Sequence, residues 1–151
     1  MSTAPLPERG GSLTEPFWQA AEEGRFVMPR CSGCARYVWY PEEACPHCGE
    51  NEIPWVPVSG RGQLFSWAEV KHELYPAYED TLPYVTGIVT LEEDARVRYV
   101  TRIVDADPAA LAIDQPMQVV FRTLAFKGVD GEVVAPVFRP SAGAAPGKVD
   151  E

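Results

Sequence analysis

Histidine is scarce in this chain, with His47 and His72 the only two, so imidazole catalysis has little to draw on. Basic residues are scarce as well: 13 Lys and Arg against 22 Asp and Glu give a formal net charge of −9. An acidic chain is repelled by nucleic acid phosphates unless its cations segregate on one face. No apolar run approaches the ~18–20 residues of a membrane span, and the first 12 residues lack the charged-then-apolar layout of a signal peptide. The expectation is a cytoplasmic protein without a membrane segment.

Familiar catalytic motifs are missing too. There is no GxSxG and no P-loop, and Gly60-Arg61-Gly62 is a lone GxG without the third glycine of a dinucleotide fingerprint. His72-Glu73 opens a zinc-protease pattern, but Pro76 stands where the second histidine belongs. No nucleophile–base pair is evident, and a stand-alone enzyme is not expected.

At 151 residues, 46% hydrophobic and 23% charged, the chain has the size and composition of one globular domain. Its ends, residues 1–13 and 141–151, mix Pro, Gly, Ser and Ala without periodicity and read as disordered. A short helix is expected over Glu15–Glu23, with Thr14 as its cap, Pro16 in its first turn and Gly24 as a left-handed stop. Its apolar stripe, Phe17, Trp18, Ala20 and Ala21, either packs on the chain's own core or docks a partner. Residues 14–57 then form one unit and residues 58–140 a second.

All four cysteines fall in one 18-residue window. Cys31-Ser-Gly-Cys34 and Cys45-Pro-His-Cys48 are two CxxC knuckles, and a two-residue spacer turns both sulfurs toward one metal. Four sulfurs suit zinc, or iron as in rubredoxin-like centres. With every position filled by cysteine the site is closed, so the metal is structural. Arg30 and Arg36 flank it, and His47 is a spare ligand that four sulfurs make unnecessary.

Beyond residue 60 the pattern turns to short β-rich segments: Gln63–Lys71, Tyr84–Leu91, Arg96–Val104, Met117–Phe126 and Val133–Phe138, with a helical turn at Pro108–Leu111 and a hairpin turn at Asp130-Gly131. Five short strands joined by tight turns favour a small barrel. In the third, alternation puts Val97, Tyr99, Thr101 and Ile103 on one face and Arg96, Arg98 and Arg102 on the other. That row is either a solvated exterior or a steering patch for the phosphates of a ligand such as coenzyme A. Tyr75, Tyr78 and Tyr84 sit in a segment that reads as a long loop, either an interface anchor or a flap over the barrel mouth.

The order of these features, a Phe-Trp helix, CSGC, CPHCG, Trp55, SGRGQLFSW, Pro83-Tyr84-Val85 and APVFRP at 135–140, resembles the rubredoxin-like zinc-ribbon plus OB-fold family known as domain of unknown function thirty-five. The resemblance covers about residues 14 to 140. It implies a mainly β protein: an N-terminal helix, a zinc ribbon with Cys31, Cys34, Cys45 and Cys48 as ligands, then a five-stranded OB-fold barrel. It further implies a non-catalytic accessory subunit in a hetero-oligomer, beside a thiolase-fold enzyme, sterol-carrier-type thiolase or side-chain aldolase, in some cases with a MaoC-like hydratase. Acyl-CoA would be a shared ligand. On this reading Phe17, Trp18, Tyr75, Tyr78 and Tyr84 are interface candidates. The rivals are a single-stranded nucleic-acid-binding ribbon/OB module and an iron redox protein.

Overall fold

A computed structural model of the chain describes residues 6–141; residues 1–5 and 142–151, part of the ends expected to be disordered, lie outside the described residues. Helix α1 (Glu15–Glu22) is followed by β1 (Val27–Pro29), the cysteine knuckles and β2 (Trp55–Pro57), then by β3 (Arg61–Val70), β4 (Tyr84–Leu91), β5 (Arg98–Ile103), β6 (Pro116–Ala125) and β7 (Glu132–Pro140). Strands β1 and β2 pair antiparallel, and the other five close a barrel in the order β3-β4-β5-β7-β6. The architecture is mainly β: helix, zinc ribbon, five-stranded barrel. Among the described residues no helix is long and apolar enough to cross a membrane.

The helix ends as expected but begins differently. Gly24 takes φ 75°, and Gly24 and Arg25 donate to the carbonyls of Ala21 and Ala20, closing the last turn. Thr14 makes no side-chain cap. Its φ −95°, ψ 0° is not the extended conformation that aims a hydroxyl at the first turn. Instead the segment ahead of the helix is tied to it by charge: Arg9 pairs with Glu15 and Glu22 at 3.1 Å each, and the Gly10 N–H donates to Glu15 Oε1 at 2.6 Å.

Alternation builds the barrel. In β4, Val85, Gly87, Val89 and Leu91 point inward; in β5, Tyr99, Thr101 and Ile103 do. Strand β7 breaks the rule, with Ala135 to Phe138 all buried, because one face lines the barrel while α1 packs on the other. Two expectations need correction. Strand β5 starts at Arg98, since Arg96 and Val97 are held in the preceding turn by Asp94. The Tyr75–Tyr84 loop contains a 3₁₀ helix, Pro76–Thr81; Pro76 supplies its fixed φ at the first position, and Lys127 N–H donates to the Ala77 carbonyl at 3.0 Å.

The ribbon and barrel share one core. Phe17 of α1 meets Trp39 at 5.3 Å and Trp55 at 6.1 Å from the ribbon, and Tyr99 at 6.1 Å from β5. Phe26 meets Tyr99 at 5.3 Å and Phe138 at 5.7 Å. Offset and edge-on ring pairs at these separations each add about 0.5–1.5 kcal/mol beyond area burial.

Closure of the barrel depends on Gly62, which pairs with Leu91 of β4 and with Met117 of β6. A Cβ there would strike the Thr90 carbonyl oxygen and lie 2.8 Å from the Val89 side chain. Gly62→Ala is therefore expected to lower stability by about 2–3 kcal/mol in urea unfolding; an unchanged midpoint would contradict this account of closure.

Candidate functional site

The knuckles bring the four cysteine sulfurs within 4.8 Å of one another. Cys31 and Cys48 sulfurs lie 3.5 Å apart, and those of Cys34 and Cys45 lie 3.8 Å apart. A tetrahedral zinc site with Zn–S bonds of about 2.3 Å has S···S edges of about 3.8 Å, so the spacing fits. The backbone is arranged to support thiolates: Gly33 and Cys34 N–H groups point at Cys31 Sγ, at 3.3 and 3.5 Å, and the His47 N–H points at Cys45 Sγ at 3.4 Å. Such N–H···S contacts fix the ligands and lower their charge density.

Proton affinities tell the same story. The Cys34 N–H, helped by the Gly33 N–H and the sulfurs of Cys48 and Cys45, draws the Cys31 thiol down to about 7 against the effect of burial. Cys48 goes the other way, to about 12: the Glu50 N–H favours its thiolate, but the neighbouring Cys31, Cys34 and Cys45 and burial outweigh that contact. Four sulfurs this close cannot all ionise together unless a cation sits among them. The donor set fits a divalent, thiophilic metal and leaves no coordination position for substrate.

The flanking groups are committed elsewhere. Arg30 Nε donates to the Ala35 carbonyl at 2.8 Å and its guanidinium stacks on Tyr37 at 5.1 Å. Arg36 Nη1 lies 3.1 Å from His47 Nδ1. Each knuckle closes through a left-handed residue after its second cysteine, Ala35 at φ 66° and Gly49 at φ 85°. Alanine in that conformation costs about 1–2 kcal/mol.

The remaining sequence candidates divide. Phe17 is 3% exposed and belongs to the shared aromatic core, so as placed it has no surface to offer a partner. Trp18 is half-buried and lines a groove with Tyr84, Val100, Arg102 and Leu124. Tyr75, Tyr78 and Tyr84 form a ladder, with ring centroids 6.1 and 6.3 Å apart; Tyr78 also rests on Phe126 at 5.5 Å, and Arg102 sits over the Tyr84 ring at 4.3 Å. The arginine row is shorter than the alternation implies. Arg96 is in the turn, paired through two nitrogens with Asp94 at 2.9 Å, whereas Arg98 and Arg102 share the outer face of β5. Arg122 and Lys127 are neutralised by Asp105 and Glu79, each at 2.6 Å.

Two features escaped the sequence reading. Val100, between the arginines, is 66% exposed, and alternation alone would have placed it there. Phe65 sits at a register shift in β3 between Leu64 and Ser66, exposed and beneath the Arg98 guanidinium at 4.2 Å; nothing in the local sequence announces that irregularity.

Comparison with known proteins covers most of the chain. The pattern of the ChsH2 rubredoxin-like zinc ribbon domain matches residues 18–52, and that of the ChsH2 C-terminal OB-fold domain matches residues 55–122. A DUF35 domain-containing scaffold protein of Methanocaldococcus jannaschii is 32% identical over 105 residues, 69% of this chain and 72% of that protein. A probable enoyl-CoA hydratase alpha subunit of Thermomonospora curvata is 36% identical over 126 residues, 83% of this chain; the chain spans only 37% of that protein. Among solved structures, a chain of the Ltp2-ChsH2(DUF35) aldolase aligns with TM-score 0.70 and 34% identity, over 87% of this chain and 96% of that one. A DUF35 protein from Sulfolobus solfataricus aligns with TM-score 0.55 and 12% identity, a likeness of fold alone.

Two substitutions test the centre. Cys34→Ser is expected to abolish stoichiometric metal binding, measured by elemental analysis, and to make the chain aggregate; a soluble, ordered variant would contradict a structural role. Ala35→Gly relieves the left-handed alanine and should stabilise the ribbon by about 1 kcal/mol, seen as slower metal loss to a chelator.

Proposed function

The chain belongs to the ChsH2 (DUF35) family of zinc-ribbon and OB-fold proteins, and from that premise we propose that it is a non-catalytic accessory subunit of an acyl-CoA enzyme. The observation that carries this reading is the match over 96% of a chain in a solved aldolase assembly of that family. The scaffold name of the archaeal relatives and the subunit name of the hydratase relative agree with it. The partner would be a thiolase-fold or aldolase subunit, with a hydratase as the other possibility, and the acyl-CoA would lie in a site shared with it.

The chemistry of the chain supports an assisting role. Its cysteines form one saturated cluster, and its histidines are exposed, His47 bonded to Arg36. Zinc bound to the four thiolates would hold the ribbon shut, contributing on the order of 10 kcal/mol. The residues that would hold it are Cys31, Cys34, Cys45 and Cys48. Thiols kept for metal suit the reducing cytoplasm, where we place the protein.

A second reading, single-stranded nucleic acid binding, draws on the aromatic and basic outer face of β3, β4 and β5, where Arg98 stacks on Phe65 and Arg102 on Tyr84. The net charge of −9 opposes it.

Tagged purification from the native host, followed by gel filtration and mass spectrometry, tests the proposal. A stoichiometric thiolase-fold, aldolase or hydratase subunit is the expected result, with no acyl-CoA turnover by the isolated chain. A lone monomer, or one carrying nucleic acid with steeply salt-dependent affinity, would overturn it.

A further inference from the structure

The outer sheet face of β3, β4 and β5 is left bare. Alternation turns every second residue of β4 and β5 away from the core, and across the ladder Ile88 stands between Ser66 of β3 and Val100 of β5. The register shift beside Ser66 leaves Phe65 on the same side, under the Arg98 guanidinium at 4.2 Å. Val100 is 66% exposed and Phe65 41%, so two large apolar groups meet solvent at the centre of this face. Toward β7 the face ends at a closed seam, where the Tyr99 and Thr101 hydroxyls donate to the Pro136 carbonyl at 2.9 and 3.4 Å. A groove of about 250 Å³ runs over that seam, bordered by Trp18, Leu124, Val100 and Arg102.

Charge says what would cover it. Neither β4 nor β5 contains an Asp or Glu, although the chain has 22 of them. Among the described residues, every other barrel cation has a carboxylate within 4.0 Å: Arg61, Lys71, Arg96, Arg122, Lys127 and Arg139. Arg98 and Arg102 have none; they flank Val100 and lean away from the seam, over Phe65 of β3 and Tyr84 of β4. A guanidinium stacked on a ring keeps its in-plane N–H donors free for a carboxylate. Burial lowers the proton affinity of Arg102, which Tyr84 and Tyr78 only partly offset. In a chain of net charge −9, an acid-free apolar face holding two unpaired guanidinium groups is the exception, and a partner's carboxylates would complete it.

We propose that the outer face of β3, β4 and β5 docks an amphipathic helix of a partner protein, its apolar stripe on Phe65, Ile88 and Val100 and its carboxylates on Arg98 and Arg102. The barrel is closed, which leaves no edge here for an added strand, so the occupant lies on the face itself. A helix about 10–12 Å across matches the roughly 10 Å from β3 to β5. Carboxylates seven residues apart on a helix are about 10.5 Å apart, against about 13 Å between the Arg98 and Arg102 Cα atoms, and the long side chains take up the difference. Apolar burial gives the affinity and the arginines give the specificity. A second copy of this chain does not fit, because its equivalent face carries charge of the same sign. The proposal rests on the accessory-subunit reading and deepens it by naming the contact chemistry; it reassigns Arg98 and Arg102 from ligand phosphates to protein carboxylates.

The test is a titration of the metal-loaded, ¹⁵N-labelled full chain with a blocked helical peptide, followed by amide shifts. The peptide is built on Ala and Gln, with two Glu seven residues apart and two Leu between them on the same helix face. The same peptide with Lys in place of Glu, coenzyme A and an oligo-dT serve as the comparison ligands. With the glutamate peptide alone, shifts are expected at residues 65–70, 84–90 and 98–102. Binding should weaken about tenfold or more in R98E/R102E, which should instead take up the lysine peptide, and stay unchanged in R25Q. Should the double variant fail to fold, V100D supplies the same loss. No shift with the glutamate peptide, equal shifts with the lysine peptide, or coenzyme A or oligo-dT perturbing those residues instead would overturn the proposal, as would a dimer dispersed by R98E/R102E. A thiolase-fold, aldolase or hydratase subunit that copurifies equally with the wild type and R98E/R102E leaves the accessory role standing and removes this face from it. A chain recovered alone from its host that still binds the glutamate peptide keeps the face and loses the role.

Discussion

Four cysteine sulfurs held within 4.8 Å of one another are stable as thiolates only around a cation, and the ribbon, the aromatic junction and α1 are built outward from that constraint. The ribbon's own apolar cluster is small: Cys31, Val38 and Cys45, with Cys34 and Ile53 packed against it. That is too little buried surface to hold residues 27–57 in place without a metal. The ribbon in turn presents Trp39 and Trp55 to Phe17, and Phe17 anchors α1, whose neighbouring Trp18 walls the seam groove. Metal, aromatic junction, helix and groove thus form one chain of dependence.

The barrel stands on a different footing. Its strands pair along long registers, nine residue pairs between β6 and β7 for example, and its inward alternation is continuous in β4 and β5. Where backbone pairing fails, between β5 and β7, side-chain hydrogen bonds to the Pro136 carbonyl substitute. Buried Tyr99 joins both systems: its ring belongs to the aromatic junction, its hydroxyl to the seam, and burial raises its phenol above the ordinary range.

Much of this was legible in the residues. CxxC spacing fixes sulfur convergence locally, so the metal ligands needed no long-range information, and the period-two runs located all five barrel strands to within two or three residues. Strand β4 came out at Tyr84–Leu91 to the residue, because polar turns bound it on both sides. What failed was whatever depended on distant contacts. Phe17 reads equally well as surface or core until Trp39, Trp55 and Tyr99 arrive from three other segments. The short β1–β2 pair has too few residues for a period. Arg96 looks like a strand residue until Asp94 claims it across two positions. The Tyr75–Tyr84 segment carried turn-forming prolines but no periodicity, so its 3₁₀ helix went unread.

Hydrogen–deuterium exchange, measured before and after chelation of the metal, tests the dependence most directly. The account predicts that β1, β2 and α1 lose protection together while β3, β4 and β6 keep theirs, since the barrel ladder does not rely on the thiolates. Retained protection of α1 and the ribbon after complete metal removal would contradict it, as would simultaneous loss across the whole barrel.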